Sequence, residues 1–204
     1  MSLPVDRVVT AGVFTLDGQS FDVENNVWLV GDDSLVVVDP AHDADRILAG
    51  VAGRPVTAVV CTHGHNDHIN VAVEVADRTG APIFLHPADG MLWDAVHPAR
   101  PPDRDLADGD QVGRLSVLHT PGHSPGGVCL YAADLGVVFS GDTLFAGGPG
   151  ATGRSYSDFP TLLRAVENRL LSLPAETRVL TGHGDSTTIG AEAPHLEQWR
   201  ARGH

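Results

Sequence analysis

The sequence predicts one mixed α/β domain spanning residues 1–204. Short β-branched runs separated by Asp and Gly turn signals are typical of strands. Between them lie segments with helical composition or helical spacing of apolar residues. No repeat, low-complexity tract or shift in composition marks a linker. The 204 residues also suit a single domain with a substantial core.

The first half of the chain alternates predicted strands with predicted helices. Strands are predicted at Val8–Leu16, Val27–Val30, Ser34–Val38, Ala58–Cys61 and Pro82–Leu85. Helical composition covers Ala44–Val51 and Val71–Thr79, and Gly80 is placed to cap the second helix. Proline and aspartate are dense from Ala88 to Asp110, which predicts a long loop with one helical turn, of the kind that often forms a lid or binding wall.

The second half follows the same pattern. Its predicted strands are Gln111–Leu118, Gly127–Ala132, Leu135–Ser140 and Arg178–Thr181. The clearest amphipathic helix is Pro160–Leu173, where leucine and valine recur at helical spacing. A terminal helix is predicted over Glu192–Arg202.

Composition and charge narrow the function classes. The formal charge is −13 and every basic residue is arginine, which argues against binding a nucleic-acid backbone. No apolar run is long enough to span a membrane, and Met1–Arg7 does not have the pattern of a signal peptide, so the expected location is the cytoplasm. Cys61 and Cys129 are expected to be small buried hydrophobes rather than a disulfide pair.

The run Thr62-His63-Gly64-His65-Asn66-Asp67-His68 carries the strongest chemical signal. Three imidazoles and one carboxylate follow the predicted buried strand Ala58–Cys61. His63 and His65 are two residues apart and project to the same side of an extended backbone. Asp67 and His68 form a second pair just beyond them. One ion rarely needs four side chains from so short a segment, so the pattern predicts two neighbouring ions.

Three further residues complete the predicted ligand set. His123, Asp142 and His183 each follow an apolar strand within a Gly-containing loop, where site residues are common. His63, His65 and His123 would hold one ion; Asp67, His68 and His183 would hold the other, with Asp142 as a bridge. Nitrogen and oxygen ligands without a thiolate suit a reactive Zn²⁺ site, and iron or manganese fits the same ligands.

The remaining six histidines lack such a context. They are expected to be exposed or to cap turns: His42, His86, His97, His119, His195 and His204.

Two ions about 3.5–4 Å apart can share a water and lower its pKa towards neutrality. The predicted site therefore generates hydroxide without a serine or cysteine nucleophile. This chemistry indicates a metal-dependent hydrolase, in which Asp67 and Asp142 are the predicted catalytic carboxylates.

The motifs resemble those of the metallo-β-lactamase superfamily and, within it, the glyoxalase II-like branch. The resemblance rests on the His-x-His-x-Asp-His run, Thr120–Gly127, Ser140–Phe145 and Thr181–Gly184, and it covers nearly the whole chain. It implies a four-layer αββα sandwich with two metals at one edge between two sheets. It also implies that Asp39 supports the metal-binding loop as a hydrogen-bond acceptor.

The chain departs from the glyoxalase II pattern in three places. Ile69-Asn70 follows His68, where glyoxalase II-like proteins usually carry two glycines. The sequence stops soon after His183, without the helical domain that contributes glutathione contacts in full-length glyoxalase II. Gly153–Asp158 matches the family's Gly-Arg-Thr-Asp segment only in part. Glutathione contacts are therefore not carried over.

The predicted reaction is hydrolysis of a thioester or related small acyl compound by a metal-bridging hydroxide. Arg154 is the candidate clamp for an anionic substrate group, while Tyr156 and Phe145 are candidates for the acyl pocket. One alternative is a lactonase or β-lactamase acting on a cyclic acyl substrate. A second is a sulfur dioxygenase with a single iron, and a third is a non-catalytic metal-binding regulatory protein. A nuclease is disfavoured by the acidic charge.

Overall fold

The computed structural model describes residues 5–203; the predictions that fall on Met1–Pro4 and His204 lie outside this range. The chain divides into two compact units, with the boundary between Leu106 and Ala107. Both units mix strands and helices, which confirms the predicted α/β class. That the two units form a single domain remains a prediction.

A six-stranded sheet organises the first unit. Its strands, in spatial as well as chain order, are β1 (Val5–Leu16), β2 (Gln19–Val30), β3 (Leu35–Val38), β4 (Val56–Val60), β5 (Ile83–Leu85) and β6 (Arg104–Asp105). The pairs β1–β2 and β2–β3 are antiparallel, whereas β3, β4, β5 and β6 pair in parallel.

The β1–β2 hairpin is longer than the sequence indicated. Asp17 and Gly18 form its two-residue turn with φ values of 53° and 71°, the backbone that a tight hairpin requires. The strands then pair continuously from Leu16–Gln19 to Val5–Val30. The sequence predicted this strand only from Val27 onwards. Most residues from Gln19 to Glu24 are exposed, so this part of β2 has no buried face that would mark it as a strand.

The parallel strands β3 and β4 place their carboxyl ends side by side. Val38 pairs with Val60, and all of β3 is buried, as expected of a strand covered on both faces. Directly after these ends, the backbone N–H of Asp39 donates to the carbonyl of Val60 at 2.9 Å. The register therefore sets Asp39 beside the residues that follow β4.

Four α-helices accompany this sheet: α1 (Ala44–Val51), α2 (Asn66–Ile69), α3 (Ala72–Thr79) and α4 (Gly90–Val96). The predicted Gly80 cap is confirmed, with φ of 72°. The helical turn predicted within Ala88–Asp110 is confirmed as the helix α4, whereas the strand β6 in the same segment was not predicted. Trp93 of α4 is fully buried and its indole donates to the Arg100 carbonyl at 2.7 Å, so tertiary packing outweighs the proline signals.

A second six-stranded sheet organises the other unit. Its spatial order is β14–β13–β10–β9–β8–β7, in which only β10 and β13 are parallel. A separate small hairpin joins β11 to β12. The strands are β7 (Gln111–Val112), β8 (Leu115–His119), β9 (Val128–Ala132), β10 (Val137–Gly141), β11 (Leu144–Phe145), β12 (Gly148–Pro149), β13 (Arg178–Thr181) and β14 (Thr187–Thr188).

The helices of this unit are α5 (Phe159–Ala165), α6 (Ile189–Glu192) and α7 (Leu196–Arg202). The predicted helix Pro160–Leu173 is confirmed as far as Ala165 and then widens into a π-helix over Val166–Leu170. Its apolar face packs with Val138, Val179 and Trp199 in one core cluster. Across residues 5–203, no helix is long and apolar enough to cross a membrane.

Gly122 is the glycine of this unit whose replacement tests the packing most directly. A Cβ there would lie 2.2 Å from the Leu162 backbone nitrogen, and its φ of +135° also disfavours a side chain. We expect Gly122→Ala to destabilise the fold by roughly 2–6 kcal/mol through strain and overlap. Gly136→Ala, with φ of +61° and open space, should cost about 1–2 kcal/mol through strain alone. Equal losses in urea denaturation would contradict the packing described around α5.

Candidate metal centre

The predicted ligand run lies in the first unit, between strand β4 and the end of α2. Residues 61–65 leave the sheet, and the short helix α2 begins at Asn66. All four candidate ligands are buried: His63, His65, Asp67 and His68 are each at most 4% exposed. So many buried polar side chains need compensating partners.

Within this run the candidate ligand atoms face each other in two pairs. His63 Nε2 lies 3.1 Å from His65 Nδ1, and His68 Nε2 lies 3.7 Å from Asp67 Oδ2. Two ligands about 2.1 Å from a tetrahedral ion lie roughly 3.4 Å apart, so both separations suit a shared ion. The His63 and His68 rings are 4.2 Å apart between centroids, which sets the two pairs next to each other.

The buried carboxylate of Asp39 determines which nitrogen of His68 faces the site. Oδ2 of Asp39 lies 3.1 Å from Nδ1 of His68. A carboxylate accepts hydrogen bonds only, so Nδ1 carries the proton and Nε2 presents its lone pair. Nε2 is the atom that faces Asp67.

Asp39 acts on His63 through Thr62. The backbone N–H and the hydroxyl of Thr62 both donate to Asp39, each at 2.7 Å. Because the hydroxyl proton is used, Thr62 Oγ1 accepts from His63 Nδ1 at 3.1 Å. Nε2 of His63 then carries no proton, and it faces His65. One carboxylate thus orients two candidate ligands, as hydrogen-bond partners of metal-binding histidines commonly do.

Asp89 supports the same loop from the other side. Its carboxylate is fully buried and accepts from the Gly64 backbone N–H at 2.8 Å. A Cβ on Gly64 would lie 2.8 Å from Leu92 Cβ and 3.0 Å from the Asp89 carbonyl oxygen. Gly64 therefore permits a close approach of the start of α4. Through this contact, the region predicted as a long loop supports the ligand run.

Cys61 does not extend the ligand set. Burial, together with the Asp39 carboxylate, raises the pKa of the Cys61 thiol well above its ordinary value. The protonated thiol is neither a good nucleophile nor a metal ligand. The chemistry of this run is therefore that of imidazole and carboxylate.

The second unit contains a cluster of three candidate ligands, in which Asp142 lies close to two histidines. Oδ2 of Asp142 lies 3.5 Å from Nε2 of His123 and 3.5 Å from Nε2 of His183. Nδ1 of His123 is 2.8 Å from the Ala151 carbonyl, which can only accept, so Nε2 again presents a lone pair. Both separations suit ligands of a shared ion, as in the ligand run.

The backbone around Asp142 is held tightly. Gly141 has φ of 47°, and the Gly182 N–H donates to its carbonyl at 2.9 Å, which links the turn after β10 to the His183 loop. A Cβ on Gly150 would lie 1.8 Å from the Asp142 carbonyl oxygen and 3.4 Å from His123 Nδ1. The glycine at position 150 thus allows the chain to pass directly behind this site.

Every predicted ligand falls within a group of His and Asp side chains that could hold a metal ion; they are His63, His65, Asp67, His68, His123, Asp142 and His183. The donor set contains only nitrogen and oxygen, which fits divalent zinc, iron or manganese. Asp39 occupies the supporting position that the sequence resemblance implied.

The three candidate substrate residues differ in their surroundings. The ring centroid of Phe145 is 6.3 Å from that of His183, so Phe145 borders a candidate ligand. Tyr156 is 56% exposed with φ of 70°, and Arg154 is half-buried in a turn closed by its carbonyl and Ser157.

The histidines that were not predicted as metal ligands differ in their hydrogen-bond partners. The side chain of His86 accepts from the Ala88 N–H, while His97 and His119 hydrogen bond to carbonyl groups, so these three fit the expectation of capping or surface roles. His42 does not, because it hydrogen bonds Asn25, which in turn contacts Asp67 and His68. The sequence offered one indication of this contact: Asn25 is a polar residue just before the apolar end of β2.

Comparison with known proteins adds an independent line of evidence. The sequence model of the metallo-beta-lactamase superfamily matches residues 21–183. The probable metallo-hydrolase YqgX of Bacillus subtilis is 36% identical over 187 residues, covering 82% of this chain and 88% of that protein. The hydroxyacylglutathione hydrolase GloC of Haemophilus influenzae is 29% identical over 190 residues, covering 83% and 90%.

A solved structure agrees with the relatives. TTHA1623, crystallised in a di-iron-bound form, is 36% identical and superimposes with a TM-score of 0.78, covering 84% of this chain and 93% of that one. The predicted fold family and its glyoxalase II-like branch are therefore confirmed.

Asp39→Asn tests the control of ligand tautomers. An amide NH₂ in place of Oδ2 would oppose the donors of Thr62 and His68, so the favoured nitrogen of His68 would change. We expect the variant to fold and to lose about 10- to 100-fold in metal affinity. Asp43→Asn is the matched control, since Asp43 caps α1 and asparagine caps equally well. Metal affinity measured by chelator competition should fall only for Asp39→Asn, and an unchanged value would contradict its role.

Proposed function

Because the chain belongs to the metallo-beta-lactamase superfamily, we propose that it is a metal-dependent hydrolase of a thioester or related small acyl compound. The observation that carries the proposal is Asp142 Oδ2, which lies 3.5 Å from the Nε2 atoms of both His123 and His183. Each separation suits a carboxylate and an imidazole that bind one ion, and we assign His123 and His183 to different ions that share Asp142.

The proposed ligand sets are those of the sequence analysis. His63, His65 and His123 would hold one ion, Asp67, His68 and His183 would hold the other, and Asp142 would serve both. His63 and His65 occur together in one possible metal-holding group, and Asp67 and His68 occur together in another, which supports this division of the ligand run. The facing pairs in the ligand run, one of two imidazoles and one of imidazole and carboxylate, support it independently.

The chemistry of the metal pair is general to such sites. Two neighbouring divalent ions lower the pKa of a shared water and supply a hydroxide nucleophile near neutral pH. Asp39 and Thr62 keep the two histidine lone pairs available for this task. Asp67 would also accept a hydrogen bond from the attacking water and so orient it towards the acyl carbon.

Zinc is the proposed metal, on the basis of a nitrogen and oxygen ligand set without thiolate. Iron fits the same ligands, and the similar structure TTHA1623 is described in a di-iron-bound form. Quantifying zinc, iron and manganese in the protein as isolated distinguishes the two cases. Two ions per chain are expected whichever metal is found.

The substrate class is proposed from the relative GloC, a hydroxyacylglutathione hydrolase. A thiolate leaving group needs no strong general acid, so the chain requires no further proton donor beside the metals. Phe145, next to His183, would line the acyl pocket. Tyr156 would extend that wall, and the guanidinium of Arg154 would bind a substrate carboxylate through its planar fork.

A substrate panel separates the competing activities. It contains acyl thioesters of glutathione and of other thiols, lactones and a β-lactam, together with oxygen-uptake measurements on a persulfide. Thioester turnover with two ions supports the proposal. Preference for lactones or β-lactams, or oxygen uptake with a single iron, would replace it with the corresponding alternative. A two-ion protein that turns over none of these substrates would favour a non-catalytic role.

Asp142→Ala tests the metal assignment. Removing the shared carboxylate should abolish binding of at least one ion and lower kcat/KM by at least about 10³-fold, because the nucleophile is no longer activated. Asp185→Ala removes an exposed carboxylate two residues after His183 and should leave both properties unchanged. Retention of two ions and activity by Asp142→Ala would refute the bridging assignment.

A further inference from the structure

Three polar side chains outside the ligand set form a continuous hydrogen-bonded chain in the first unit. Asn70 contacts His42, His42 contacts Asn25, and Asn25 reaches two candidate ligands. Asn25 is fully buried, while His42 and Asn70 are half-buried. None of the three is a predicted ligand, and from the sequence His42 was expected to be exposed or to cap a turn.

The direction of these hydrogen bonds is fixed at one end by a backbone group. The His42 backbone N–H lies 2.7 Å from Asn70 Oδ1, and an amide N–H can only donate. The NH₂ of Asn70 must therefore point the other way, towards His42 Nδ1 at 2.9 Å. Nδ1 accepts this hydrogen bond, which leaves the ring proton on Nε2.

The protonated Nε2 of His42 in turn determines how the Asn25 amide faces the ligand run. His42 Nε2 donates to Asn25 Oδ1 at 2.9 Å, so the NH₂ of Asn25 is turned towards the opposite side. There Nδ2 lies 3.2 Å from Asp67 Oδ2 and 3.3 Å from His68 Nε2. An amide nitrogen has no available lone pair for a metal ion. Asn25 therefore faces the site as a donor to the carboxylate and not as an additional oxygen ligand.

We propose that His42 and Asn70 are positioning residues that hold the Asn25 NH₂ towards Asp67 and thereby orient Asp67 for the second ion. The inference rests on the proposed metal pair. Without His42, the Asn25 amide could rotate by half a turn and place its oxygen against the Asp67 carboxylate. Two acceptors would then face each other, and Asp67 would lose its defined orientation.

The packing around His42 supports a dedicated position for its ring. A Cβ on Gly12 would lie 2.1 Å from His42 Nδ1, so the absence of a side chain in the middle of β1 makes room for the imidazole. Glycine inside a strand weakens it unless a close approach requires it. His42 itself has φ of 63°, a left-handed backbone conformation that is uncommon for residues other than glycine.

The same chain accounts for the residue at position 70. The ligand run is followed by Ile69-Asn70, and the Asn70 side chain accepts from the His42 N–H and donates to Nδ1. A glycine at position 70 could neither accept from the His42 N–H nor donate to Nδ1. Asn70 and His42 therefore act together to fix the orientation of the Asn25 side-chain amide.

The test uses the full chain, stripped of metal and titrated with zinc against a chromophoric chelator. Its variants are His42→Ala, Asn70→Ala and His42→Gln, with His97→Gln as the matched control. His97 is also half-buried and hydrogen bonds the Ile69 carbonyl, but it has no contact with Asn25 in the network described above. The readouts are the affinities of the first and second zinc ions and the melting temperature of the metal-free protein.

We expect His42→Ala and Asn70→Ala to weaken the second zinc ion by about 10- to 100-fold and to leave the first unchanged. His42→Gln should recover much of this loss, since its amide offers one donor and one acceptor in place of the two ring nitrogens. His97→Gln should bind both ions as the unmodified protein does. If His42→Ala fails to fold, Asn70→Ala, whose side chain is half-buried, still decides the question.

The results separate this inference from the proposed function. Two tightly bound ions in the unmodified protein, with no change in either affinity on His42→Ala or Asn70→Ala, overturn the positioning role and leave the metal pair intact. An equal loss in His97→Gln overturns it too, because the effect would then be general destabilisation. Fewer than two ions in the unmodified protein overturn the proposed metal pair, and the inference with it.

Discussion

The chemistry proposed for this protein depends first on one buried carboxylate, Asp39. It accepts hydrogen bonds from the Thr62 backbone, the Thr62 hydroxyl and His68 Nδ1, so its burial is compensated by three donors. Through these contacts it sets the proton positions of His68 directly and of His63 through Thr62. An imidazole can bind a metal only with an unprotonated nitrogen, and both histidines present Nε2 for this reason.

The fold explains why Asp39 can reach that position. Strands β3 and β4 are parallel and in register, so the residues that follow Val38 and Val60 leave the sheet together. Binding residues commonly collect at the carboxyl ends of parallel strands. The left-handed backbone of Asp39, with φ of 53°, turns the chain at this point. A shift in register would separate the carboxylate from Thr62 and release both histidines.

Much of this organisation could be predicted from the sequence. The ligand run and the role of Asp39 were identified from residue types, spacing and resemblance, and strands β3 and β4 from their apolar, β-branched runs, although their parallel pairing was not predicted. The residues that fix the ligands were harder to predict. Asp89 supports Gly64 from a segment that looks like a proline-rich loop, and Trp93 becomes buried there only through tertiary packing. The partnership of Asn25, His42 and Asn70 spans distant positions and has no local motif.

Anomalous X-ray diffraction from crystals of the protein as isolated would locate the metal ions directly. Two metal peaks about 3.5–4 Å apart are expected. One should lie beside His63 Nε2, the other beside His68 Nε2, with the Asp142 carboxylate touching both. A single peak, or two peaks without Asp142 between them, would contradict a two-metal hydrolase centre.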